Sequence, residues 1–249
     1  MERRLVSLAR PFGFLALVLG LAAVGATVFY APVERIQGPI QKIMYLHVPS
    51  AITSYVAFIT AAVAGALFLW KRSPAYDRVA RSSAEIGLLF CSVVLITGPL
   101  WGKPVWGVWW SWDARLTSTL LLWLIFVGYF VVRRLAPGEQ GGRFASVVAI
   151  IGVLDIPFIN VAAEKFQSLH PPNIMKSGGM TQEMHATLGL CILTVLVFYL
   201  YLLGKRIEVA GLSDRLEAAL IQVGHDPQPA PLTPAQEPGT DPAHRAPSP

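Results

Sequence analysis

Residues 116–132 read Leu116-Thr-Ser-Thr-Leu-Leu-Leu-Trp-Leu-Ile-Phe-Val-Gly-Tyr-Phe-Val-Val132, seventeen positions without a charge, bounded by Arg115 and Arg133. A helix needs about 17–25 mostly apolar residues to cross a bilayer. Working outward from this stretch, five more runs meet that length: 11–33, 43–70, 86–102, 144–163 and 184–204, the fifth in chain order broken only by Asp155. The composition agrees, with 54% hydrophobic and 14% charged residues, where soluble domains carry about 25% charge. That excludes a soluble globular enzyme, a disordered chain and a nucleic-acid binder. The expected fold is all-α and polytopic: a bundle of six transmembrane helices with a short Trp-rich interfacial segment on the outer face, and lipid all round it. The first run exceeds the 7–15 residues of a signal-peptide core, so it is read as a retained helix.

The net charge of +5 reads as topology before it reads as ligand binding. Fourteen of the twenty Lys and Arg fall in the N-terminal segment, the 71–85 and 133–143 loops and the region after the sixth span; six fall in the alternate loops. The positive-inside rule then puts both termini in the cytoplasm and the loops 34–47, 101–115 and 164–185 outside. Residues 1–206 form the membrane domain. Ser213 is the expected cap of a short juxtamembrane helix within 207–225. From 226 to 249 the chain is Pro-rich and poor in large apolar residues, and is expected to be disordered. Cys91 and Cys191 lie inside apolar runs with no CxxC spacing, which makes them small core residues rather than a disulfide or metal framework.

The second outer loop holds most of the chemistry. It reads Trp101-Gly-Lys-Pro-Val-Trp106-Gly-Val-Trp109-Trp110-Ser-Trp112-Asp113-Ala-Arg115-Leu-Thr117, with five of the seven tryptophans inside twelve residues. An aromatic belt places a Trp or two at a helix end; it does not place five beside an Asp and an Arg. Gly102, Pro104 and Gly107 argue against a helix before Trp106. Trp106, Trp109, Trp110 and Asp113 are spaced i, i+3, i+4, i+7, which predicts a short surface helix with a flat aromatic shelf. Such a shelf suits a large planar apolar ligand. Arg115 is suited to meet a carboxylate, and Asp113 to hold that Arg or to orient indole N–H groups.

Three histidines fall on the same outer side: His47 before the second span, His185 at the start of the sixth, and His170 in the loop between the fifth and sixth. One interfacial histidine is most often a polar tip. Two at the ends of different spans, beside a Trp cluster, point to metal ligation. Zinc asks for three or four clustered ligands, whereas haem offers a planar macrocycle, two carboxylates and two axial positions. No histidine falls mid-span, which argues against a transmembrane electron wire.

The run 101–118 closely resembles the WWD signature of haem-handling membrane proteins. With six spans and Tyr45-Leu-His47-Val-Pro49, the chain resembles the family of cytochrome c maturation protein C, also called haem exporter protein C, over about residues 10–205. That resemblance implies haem b held at the periplasmic face, cradled by Trp101, Gly102, Trp106, Trp109, Trp110, Trp112, Asp113 and Arg115. It implies His47 and His185 as axial ligands of the iron. It further implies delivery of haem to a membrane-anchored periplasmic haem chaperone during c-type cytochrome biogenesis. The partners implied are an ATP-binding subunit, a second membrane subunit and a small single-span subunit of an ABC transporter complex in the bacterial inner membrane. This chain itself is then a delivery subunit and not an enzyme.

Two features depart from the family pattern. The residues before Leu169-His170 are less aromatic than expected, which leaves His170 without a clear role. Asp155 inside a span marks either a functional acid or a contact between helices. The rival readings are a haem lyase acting directly on apocytochrome c, a haem transporter with Asp155 on its path, and a structural subunit with a plain aromatic belt.

Overall fold

The computed structural model describes residues 2–136, 138–165 and 180–224, without side chains for 2, 3, 162–164 and 221–224. His170 and the 226–249 tail lie outside the described residues. Among the described residues, six helices are long and apolar enough to cross a membrane, within Arg4–Tyr30, Pro39–Lys71, Pro74–Trp106, Ala114–Leu135, Gly138–Val161 and Gln182–Leu220. These are the six runs read from the sequence. Each starts before its uncharged stretch, because charged side chains at a helix end lay their aliphatic stems along it while the charge stays outside.

Helix α1 spans Glu2–Gly25 and passes into a wider turn at Ala26–Tyr30. A tight turn at Pro39–Ile43 leads into α2, Met44–Lys71. Helices α3 and α4 span Pro74–Trp106 and Ala114–Leu135. The fifth crossing is two helices, α5 (Gly138–Val153) and α6 (Asp155–Lys165). Leu154 closes α5 with a bond from its N–H to the Ile151 carbonyl. The break has a local cause: Pro157 has no N–H to continue the α5 ladder, but is tolerated in the first turn of a new helix.

Helix α7 runs from Gln182 to Gly224. It passes through Ser213 unbroken, so no separate helix starts there; Gly211 nearby costs only about 1 kcal/mol in a helix, too little to stop it. The chain divides into two compact units, Met1–Gly211 and Leu212–Pro249. The first holds the bundle. In the second, Leu212, Leu216 and Leu220 are exposed.

Side chains such as Phe14, Leu17, Leu21, Ile96 and Leu124 are exposed on the outside of the bundle. The backbone satisfies itself within helices, as a lipid environment requires. The largest core cluster joins α2 through α6 around Phe58, Leu122, Phe126 and Tyr129, all fully buried. Phe58 stacks on Phe126 with ring centroids 3.8 Å apart. Gly87 makes this possible, because a methyl there would stand 2.6 Å from the Phe58 ring. Small residues let helices approach where lipid supplies no hydrophobic drive between them. Cys91 and Cys191 are buried free thiols, as expected.

Candidate functional site

A smaller core cluster marks the end of the bundle where the tryptophans lie. It brings Ala23 of α1 and Ala31 beyond it together with Met44, Tyr45 and Val48 of α2, Trp101 of α3, and Leu188 and Cys191 of α7. Both candidate histidines sit on elements held by this cluster. His47 lies in the first turn of α2, not before it, because the Pro39–Ile43 turn already starts the helical path. His185 lies in the first turn of α7.

The two rings are oriented by different means to the same effect. The Thr97 hydroxyl donates to the Val93 carbonyl at 2.7 Å. A hydroxyl has one proton, so toward His47 it accepts, and His47 Nδ1–H donates to it at 2.9 Å. His185 Nδ1–H donates to the Thr181 carbonyl at 2.9 Å, a partner that only accepts. In both rings Nε2 therefore carries the lone pair, the tautomer a metal ligand needs. His47 is buried and meets the Trp101 ring edge-on, with centroids 5.9 Å apart. His185 is exposed. Thr181 also accepts from Met184 N–H through its side chain, which caps α7 and fixes the turn that carries His185.

The tryptophan segment differs from its sequence reading in two ways. Helix α3 runs through Gly102 and Pro104 as far as Trp106, and residues 107–113 are not helical. The helix stops at Gly107, whose φ of 78° suits glycine and whose N–H returns to the Lys103 carbonyl. Lys103 Nζ adds a bond to the Gly107 carbonyl at 2.8 Å. The i, i+3, i+4, i+7 spacing therefore does not make a one-faced helical shelf.

The indoles are instead spread over distinct places. Trp101 donates its N–H to Gln37 at 2.8 Å and stays beside His47. Trp106 folds back over Gly102, where a methyl would stand 3.0 Å from its ring. Trp110 and Trp112 pack edge-to-face with centroids 5.8 Å apart. With Leu95 and Leu120 they line an open apolar depression of about 460 Å³, within the range of about 300–1,000 Å³ usual for small-molecule sites. Leu95 is about 200° around α3 from Thr97 at about 100° per residue, so this depression opens toward α4 while His47 lies on the α2 side. Trp109 and Trp112 are exposed, and Trp110 Nε1 is buried without an acceptor.

Asp113 turns out to be a helix cap. Its Oδ1 accepts from Leu116 N–H at 3.0 Å and its Oδ2 from the Ser111 hydroxyl at 2.7 Å. It thereby fixes the start of α4 and the position of Arg115 in that helix's first turn. Asp155 heads α6, with Oδ2 buried and without a hydrogen bond. The supporting residues Gln37, Thr97 and Ser111 had no signal in the sequence; Thr97 is 50 positions from the ring it orients.

These residues are chemically suited to haem: two imidazoles presenting Nε2, indole surfaces, an indole N–H lacking an acceptor, and an arginine near by. A family model described as "Heme exporter protein C" matches residues 3–222. The chain is 33% identical to "Heme exporter protein C" of Bradyrhizobium diazoefficiens, over 82% of this chain and 85% of that protein. It is 34% identical to the Haemophilus influenzae protein of the same name, over 77% of this chain and 79% of that one. To the Escherichia coli protein of that name it is 42% identical, over 57% of this chain and 58% of the relative.

Proposed function

The chain belongs to the haem exporter protein C family, and on that footing we propose that it holds haem b at the outer, periplasmic face of a bacterial inner membrane. His47 and His185 ligate the iron through Nε2. Trp101, Trp106, Trp109, Trp110 and Trp112 supply apolar surface, Arg115 receives a propionate, and Gly102 and Asp113 shape the segment that carries them. Haem is the cargo here, bound and passed on unchanged by this chain. The recipient is a membrane-anchored periplasmic haem chaperone, in the course of c-type cytochrome biogenesis. An ATP-binding subunit, a second membrane subunit and a small single-span subunit complete the complex, with both termini of this chain in the cytoplasm.

One observation supports this reading above the others: two histidines on different helices, at one end of the bundle, are each hydrogen-bonded at Nδ1 so that Nε2 carries the lone pair. A structural subunit with an aromatic belt has no need of that. The second ligand's exposure suits a donor, which must release what it holds.

The test uses the detergent-purified, haem-loaded chain mixed with the haem chaperone. Haem is expected to pass to the chaperone, and Trp110→Ala with Trp112→Ala is expected to lower retention or transfer while membrane insertion stays intact. Unaltered chaperone loading by that double variant contradicts the role given to the two indoles.

A further inference from the structure

The first outer segment folds into a small turn that reaches the candidate site. Glu34 organises it: its Oε2 accepts from the backbone N–H groups of Ile36 and Gln37, at 2.8 and 2.5 Å. Gly38 closes the turn with its N–H on the Glu34 carbonyl at 3.0 Å and a φ of 68°, which suits glycine. Further on, Lys42 Nζ bonds to the Thr27 and Val28 carbonyls at 2.7 and 3.2 Å, tying the segment's far end to the end of the first span. The turn so held presents Gln37, and Gln37 Oε1 accepts the Trp101 indole N–H at 2.8 Å, across 64 positions of sequence.

That bond bears on His47. The hydrogen bond from His47 Nδ1–H to Thr97 fixes the tautomer, but a single bond leaves an imidazole free to pivot about it. Gly98 leaves the ring room on one side, where a methyl would stand 3.5 Å from Cε1. Trp101 limits the pivot on another: it meets the ring edge-on, with centroids 5.9 Å apart and planes at 77°, a geometry that aromatic pairs favour. Trp101 packs against the smaller core cluster. Its one polar group, the indole N–H, can only donate, and Gln37 is what it donates to.

We propose that Gln37 positions Trp101 against His47, so that the 34–38 turn sets the orientation of an axial ligand of haem. Gln37 is a positioning residue that acts through the Trp101 indole N–H. A ligand ring already held in one plane gives up little freedom when the iron binds, whereas a pivoting ring must be ordered at that moment and binds more weakly. This inference rests on the haem-site reading above, and adds to it the first outer segment, which that reading leaves out.

The experiment measures equilibrium binding of haem b to the detergent-purified full chain, with the absorption spectrum of the bound haem as a second readout. Gln37→Leu removes the acceptor, Gln37→Asn withdraws it by one methylene, and Gln37→Glu keeps an acceptor oxygen at the same reach. Trp101→Phe keeps an aromatic ring and removes the N–H. Gln37→Leu and Gln37→Asn are each expected to bind haem b about 2–10-fold more weakly than wild type, the effect of losing one hydrogen bond, with a shifted Soret band. Gln37→Glu should match wild type in both readouts. In a Trp101→Phe background Gln37→Leu should add no further loss, because two residues that act through one contact are not additive. Wild-type affinity and spectrum in both Gln37→Leu and Gln37→Asn overturn the proposal. So does a loss that persists undiminished in the Trp101→Phe background, which would reflect the fold of the turn alone. Failure of the wild type to bind haem b would overturn the haem-site reading itself, so the two failures are separable.

Discussion

At the end of the bundle that carries Leu5 and the last turns of the membrane domain, charges are matched with one another. Arg133 of α4 pairs with Asp77 of α3 through both guanidinium nitrogens, both side chains less than one-fifth exposed. Arg206 of α7 pairs with Glu85 of α3. Lys205 meets Glu208 at 2.8 Å and Arg143 meets Glu139 at 2.5 Å. At the tryptophan end the cations bond differently. Lys42 donates to the Thr27 and Val28 carbonyls, and Lys103 to that of Gly107, so these cations close helix ends. Among the described residues, the buried side-chain atoms without a hydrogen bond include Trp110 Nε1 and Asp155 Oδ2, both in this half. Buried polar groups are normally satisfied, and exceptions call for an explanation. One end is closed by internal pairs; the other keeps polar capacity for something that arrives.

That contrast predicts separable effects. The largest is at the closed end. Arg133→Ala leaves the Asp77 carboxylate buried and unpaired, at a cost of about 3–5 kcal/mol. Thermal unfolding of the purified protein in detergent should shift accordingly, while the haem absorption spectrum of the folded fraction stays as in wild type. A changed spectrum would break the division between the ends.

Thr97→Val comes next and acts at the open end. The substitution keeps the volume and removes the acceptor for His47 Nδ1–H. Groups that orient a metal's ligands typically account for about 10–100-fold in affinity. Haem affinity should fall within that range with little change in unfolding temperature. Unchanged affinity would mean that the Thr97 bond does not fix the His47 ring.

The smallest effect is expected from Arg143→Ala. Arg143 and Glu139 are about half exposed, one turn apart on α5. Such pairs contribute at most about 0.5 kcal/mol, so neither stability nor haem binding should move appreciably. A loss comparable to that of Arg133→Ala would show that exposure is a poor guide to the closed end.

The crossings were legible in the sequence because lipid imposes one simple demand, about twenty apolar residues in a row, and the runs around Leu122 and Phe58 meet it directly. The tryptophan segment was legible in composition and illegible in shape. Eight residues with helical spacing fit a helix as well as they fit an irregular loop, and Gly107 decided between them by taking a positive φ. Gly102 and Pro104 misled in the opposite direction: near the end of a helix the lost bond and the missing side chain are tolerated, and Gly102 is where Trp106 packs. Asp155 was visible as an anomaly, but its place at a helix break depends on Pro157 and on the packing of α6 against α4. The histidines were visible too. The partners that set their tautomers were not, because Thr97 is brought to His47 only by tertiary packing and Thr181 acts through its backbone carbonyl.

His47 and His185 as the two axial ligands are the centre of the proposed function, and the absorption spectrum of the detergent-purified, haem-loaded protein tests this directly. His47→Ala and His185→Ala are each expected to lose haem or to shift the Soret band, with added imidazole restoring part of the wild-type spectrum. If both variants retain wild-type haem content and an unchanged Soret band, the axial assignment is wrong.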